Sequence, residues 1–146
     1  MLTRITASKN LALARFEAET AIDAAAAEVR ARFASAGKHQ VYADKRAEAV
    51  RYLDEAQGGA TPDLSAYPYL SAEIGITAET PLDLAELWLW MDAVWKNAAA
   101  AIEQISLAAK IAVRASSRQP EIDLLVAQTR TTLDAIGEKP PKRPGT

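Results

Sequence analysis

His39 is the only histidine in the chain and the first place to look for proton transfer or metal ligation. A metal site needs further ligands at helical or loop spacing. The chain has no cysteine and no second histidine, and no Glu-x-x-His pair occurs. A general base needs an orienting partner; Asp44 is five residues on, off the same helical face. His39 therefore reads as an exposed loop or helix-start residue. Carboxylates are plentiful but scattered: Glu17, Glu19 and Asp23 cluster on one helix, and Asp54 and Glu55 end another. Glycosidase-type chemistry needs two carboxylates facing across a cleft, and the plainer expectation for these is a solvated helix face. No glycine-rich phosphate loop and no Ser-His-Asp elbow is present. The reading is of a protein that is not an enzyme, with no catalytic residue, no cofactor and no metal ligand to name.

Two other groups could serve recognition. Lys38, Lys45, Arg46 and Arg51 make a local basic patch, diluted by Asp44 and Glu48; with Lys142 and Arg143 it could touch phosphates. A net charge of −2 gives no global attraction to nucleic acid or an anionic surface, so a solvated face is the stronger expectation. The tryptophans are more telling. The run 82–91 reads Leu-Asp-Leu-Ala-Glu-Leu-Trp-Leu-Trp-Met, with Trp95 one turn later. A soluble helix buries one stripe and wets the other, whereas this segment is apolar nearly all round. Trp88, Met91 and Trp95 follow the main stripe, which places them in a core. Leu89 and Trp90 project the other way: either a second layer covers them, or they are an anchor for a partner. The residues singled out for partner contact are Trp90, Leu89, Trp88 and Tyr69.

The elements that must position these residues follow from periodicity. At 146 residues and 49% hydrophobic content, much of it alanine, the chain can build one helical domain. A helix is predicted over about 8–33, with Leu11, Ala14, Ala18, Ile22, Ala25, Val29 and Phe33 on one face and Glu28–Arg32 as an i,i+4 pair. A second is predicted over 39–56, ended by Gln57-Gly58-Gly59. Thr61-Pro62 looks like an N-cap with proline at the first helical position, and Tyr67-Pro68-Tyr69-Leu70 leads to a short helix closed by Gly75. Thr80, Pro81 and Asp83 open a third long helix over 81–115. At ~1.5 Å per residue this helix outruns a compact domain; an extended bundle, an oligomer or a break near Ala98–Ala101 would each accommodate it. A fourth is predicted over 118–136, closed by Gly137. The expectation is an all-α fold: a long helical hairpin or irregular bundle of about four main helices plus a short connector. It comprises one domain over 1–137 and a disordered proline- and lysine-rich tail over 138–146. Charged residues interrupt the richest apolar run, so no membrane span is predicted. The absence of cysteine and of a leader-type apolar start points to a reducing compartment.

Several pieces, in order, carry a resemblance: Ile22-Asp23-Ala24-Ala25-Ala26 with Ala31-Arg32-Phe33, then Gly37-Lys38-His39-Gln40-Val41-Tyr42 with Lys45, Glu48-Ala49 and Tyr52-Leu53. Tyr67-Pro68-Tyr69-Leu70 follows, with Ala72-Glu73 and Gly75-Ile76-Thr77, then Trp95 with Ala100-Ala101-Ile102-Glu103 and Leu107-Ala108-Ala109-Lys110. Together they resemble small phage and prophage tail-associated proteins, in particular the helical C-terminal region of certain tail-fibre or tail-assembly proteins. The resemblance spans about residues 22–113; the fourth helix and the tail lie outside it. It implies a small structural, accessory or chaperone component acting through helix–helix contact, with a protein partner or a homo-oligomer, in the bacterial host's cytoplasm or the virion. It brings no catalytic residues. The alternative is a small helical adaptor or regulator with weak nucleic-acid contact through the basic patch.

Overall fold

Capping residues and left-handed glycines set the ends of the helices. The structure is a computed structural model that describes residues 2–33 and 38–138, with side chains from 10–33 and 40–138. Among these residues it has five α-helices, four of them long, and no strand. They are α1 (Leu2–Phe33), α2 (Lys38–Gln57), α3 (Pro68–Glu73), α4 (Pro81–Ala115) and α5 (Gln119–Glu138), with a 3₁₀ turn at Leu64–Ala66. The all-α class read from periodicity is the one observed. No helix among the described residues is long and apolar enough to cross a membrane. Residues 34–37 and the predicted tail beyond Glu138 lie outside the described residues.

Thr80 caps α4: its hydroxyl accepts the Asp83 N–H at 3.1 Å, and Pro81, which has no N–H to leave unpaired, fills the first helical position. The helix then runs unbroken for 35 residues through the alanine run Ala98–Ala101, about 52 Å at the standard rise. Gly59 ends the α2 turn at φ +86°, and Gly75 takes φ +83° after α3. Both values suit glycine because it has no Cβ to clash.

Four local expectations need correction. Thr61 does not cap the short segment; Asp63 does, its carboxylate accepting the Ser65 N–H at 3.0 Å, and Pro62 is buried ahead of it. Gly137 does not close α5, which continues through it to Glu138 without a left-handed residue. A Cβ at Gly137 would sit 2.7 Å from Arg32 Nη1, so the glycine makes room for a side chain of α1. Arg32 pairs with Asp134 at 3.0 Å, not with Glu28 one turn back. Met91, placed in the core stripe by its spacing, is 46% exposed.

The chain divides into two compact units. One comprises α1, α5 and α4 from Ala98 onward; the other comprises α2, the 3₁₀ turn, α3 and α4 up to Asn97.

The first unit is a three-helix bundle. Its core has one cluster of Ala14, Ala18 and Ile22 against Ala109, Val113 and Ile122, and a second of Ala25, Ala26 and Val29 against Ile102 and Leu133. α1 supplies mostly alanine, which lets helix backbones approach closely, while the larger Ile and Leu residues provide most of the burial energy, about 1.5–3 kcal/mol each. Ion pairs set the direction of α4 against α1. Glu19 pairs with Arg114, Asp23 with Lys110 and Arg30 with Glu103, so α4 descends residue for residue as α1 ascends. Arg15 ends the series by donating from Nε (3.2 Å) and Nη2 (2.7 Å) to the Ser116 carbonyl, where it satisfies the C-terminal end of α4 and its dipole. α5 runs parallel to α1: Ile122 joins the cluster near the start of the seam, and Leu133 and Asp134 meet its end. The buried hydroxyls of Ser106, Ser116 and Thr129 donate to carbonyls four residues back, so each is satisfied locally.

Candidate functional site

Three of the four predicted contact residues come together in the second unit. Trp88 is buried in a cluster with Ala49, Tyr52, Tyr67, Leu70, Leu84 and Ala85, and Leu89 and Tyr69 pack against it half-buried. Trp90 is half-buried and lies outside that cluster. Leu89 thus lines the same core as Trp88 even though it points away from the main stripe.

A carboxylate organises that layer. α3 has six residues, far too few to form alone. Pro68 occupies its first position and Tyr67, at the N-cap, supplies no side-chain bond. Glu48 of α2 supplies it instead: Oε1 accepts the Tyr69 N–H at 3.1 Å and Oε2 the Leu70 N–H at 3.0 Å. The carboxylate is buried, its residue only 5% exposed. Its charge is balanced by two N–H donors at the positive end of a helix.

Cations on α2 hold the other end and the flank. Lys45 pairs with Glu73, the last residue of α3, and its Nζ lies 5.2 Å from the centroid of the Trp88 ring. Arg46 Nε donates to Asp92 at 2.7 Å, and Asp92 also accepts Lys96 one turn on. Arg51 stacks 5.0 Å from the Tyr67 ring centroid and donates to the Ala66 carbonyl at 3.3 Å. The Tyr52 and Tyr67 rings meet edge to face at 5.6 Å. Burial raises the Tyr67 phenol above its ordinary value of 10.0; hydrogen bonding to Glu55 and that residue's charge add to the rise, and Arg51 opposes it. Asp63 is lowered from 3.8 by its hydrogen bonds with Ser65.

Lys45, Arg46 and Arg51, three members of the predicted basic patch, are therefore engaged within the unit. The side chains of Lys38 and His39, in the first turn of α2, and residues Lys142 and Arg143 lie outside the described set. Of the acidic residues expected on a solvated face, Glu17, Asp23, Asp54 and Glu55 are exposed and Glu19 is half-buried; Glu19 and Asp23 also form interhelical pairs. Among the described residues no group of three or more acidic or histidine side chains is placed to hold a metal ion. A shallow, open depression on α5 is lined by Ala127, Gln128, Thr131 and Thr132, and both threonine hydroxyls there donate to their own helix's carbonyls.

Sequence reasoning missed Glu48, and the one available signal was weak: a proline-led helix with no Ser, Thr, Asp or Asn before it needs a cap from elsewhere. The molecule is an all-α protein. Comparison with protein-family models, curated proteins and solved structures finds no significant match to the chain.

Proposed function

We infer that the protein is a non-enzymatic structural or assembly component that works through helix–helix contact, of the phage and prophage tail-associated kind that its sequence segments resemble. The observation that carries the contact reading is the exposure of large apolar side chains on helices whose core faces are already filled. Leu13 and Phe16 on α1, Leu107 and Ile111 on α4 and Leu124 on α5 all lie at or above 48% exposure. Single exposed apolar residues are ordinary, but helices that are apolar on two sides are suited to a second layer. The tail-associated part rests on the ordered segments from Ile22 to Lys110 alone. Among the described residues, Lys45, Arg46 and Arg51 are engaged by Glu73, Asp92 and Tyr67, which weakens the case for the nucleic-acid alternative.

The experiment is to titrate the purified chain with phage tail proteins, those encoded by its gene's neighbours where there are any, by calorimetry, and with itself, by light scattering. Trp90→Ala is expected to weaken association while helical circular dichroism survives. Unchanged association with loss of fold would make Trp90 a core residue, and no association with itself or with any tail protein would remove the reading.

A further inference from the structure

The outer side of the α1–α4 seam combines two patterns. On α1, Phe16, Glu19, Asp23, Ala27 and Arg30 recur at steps of three and four, so they share one side of the helix. On α4, Glu103, Leu107, Lys110 and Arg114 do the same, with Ile111 beside them. The charged members are joined across the seam as Glu19–Arg114, Asp23–Lys110 and Arg30–Glu103. Leu107 at 48% exposure and Ile111 at 65% stand among them, and Phe16 at 68% lies one turn beyond the Glu19–Arg114 pair. The opposite side of α1 is the filled core face of Ala14, Ala18, Ile22, Ala25 and Val29.

We propose that this α1–α4 face binds a second copy of the chain, with the twofold axis parallel to the helices. The proposal rests on the contact reading above and names its partner. Charge complementarity favours that occupant and that axis, because it opposes all three ion pairs at once, whereas a twofold axis perpendicular to the helices would oppose only Glu19 with Arg30 and Glu103 with Arg114. Within one chain the two helices are antiparallel and the signs alternate across the seam. A twofold axis along the helices therefore lays α1 of one copy antiparallel on α4 of the other in the same register. Glu19 then faces Arg114 of the second copy, Asp23 faces its Lys110 and Arg30 faces its Glu103. Every ion pair becomes a four-charge set of alternating sign, each helix meets an antiparallel helix across the interface, and Phe16, Leu107 and Ile111 are covered. An isologous contact of this kind needs only one patch, used twice.

The test is molar mass by light scattering over a dilution series from about 100 µM to about 1 µM, on the wild type and on the Phe16→Glu/Ile111→Glu double variant. Both residues are exposed, so helical circular dichroism should not change. The expected result is a wild-type dimer whose dissociation constant rises at least about a hundred-fold in the variant. Because the chain has no cysteine, Ala27→Cys and Leu107→Cys can be prepared as single variants and mixed under oxidation. The proposed axis gives a mixed disulfide, and homodisulfides in excess of it would overturn the arrangement. A wild type that is monomeric throughout overturns the proposal, and the contact reading is then judged by tail-protein binding alone. A dimer that survives Phe16→Glu/Ile111→Glu but is lost in Trp90→Ala also overturns it, while the contact reading stands.

Discussion

The Glu48 carboxylate and the Leu70 backbone N–H are joined at 3.0 Å, so a buried charge on α2 holds the first turn of α3 in place. The same carboxylate takes the Tyr69 N–H. α3 is thereby fixed over Trp88, and the aromatic core of the second unit depends on one acidic side chain.

Glu48→Gln should destabilise the protein by about 2–3 kcal/mol. The amide keeps one acceptor but turns an NH₂ group toward an N–H, leaving one buried donor orphaned and the helix dipole uncompensated. Urea denaturation at neutral pH measures the change. A variant within about 0.5 kcal/mol of wild type would mean that the cap carries no net stability.

Gly137 and Arg32 should be coupled. Alanine in a helix is favoured over glycine by up to about 1 kcal/mol, but a Cβ at 137 would meet Arg32 Nη1 at 2.7 Å and Cδ at 3.0 Å. In the natural chain Gly137→Ala should therefore gain little, because Arg32 must move and weaken its exposed pair with Asp134. In an Arg32→Ala background the same change should stabilise by about 0.5–1 kcal/mol. Equal increments in the two backgrounds, read from thermal or urea unfolding, would show that the close approach costs nothing.

Tyr67 predicts a pH dependence with a definite sign. Its phenol is raised above 10.0 in the folded protein, chiefly by burial. The folded state therefore holds this proton more tightly than the unfolded chain does. The corresponding stability is fully present below about pH 10 and is lost as pH rises through the folded value. Tyr67→Phe removes that contribution, so its stability should fall less steeply than wild type between about pH 9 and pH 11. Superimposable pH profiles from denaturant melts would contradict this.

The sequence by itself determined the features that depend on neighbours a few residues apart. Thr80, Pro81 and the apolar periodicity mark the two ends of α4 at Pro81–Ala115, though not its continuity through Ala98–Ala101. Ile22, Val29, Ile102, Ile122 and Leu133 fall on the stripes that the structure buries. Side chains three and four apart meet on a helix whatever the rest of the chain does, so these features were legible. The tertiary structure alone decided what crosses between helices. Glu48 looks like one more surface acid until α3 lies on it, and Gly137 looks like a helix stop until Arg32 crosses it. Met91 follows the buried stripe of α4 yet is exposed, while Leu89, off that stripe, packs half-buried against the aromatic cluster. The basic patch was legible as residues but not as a network, because the partners of Lys45, Arg46 and Arg51 lie on other elements. Periodicity tells a helix which side is apolar; it does not tell how many sides will find a neighbour.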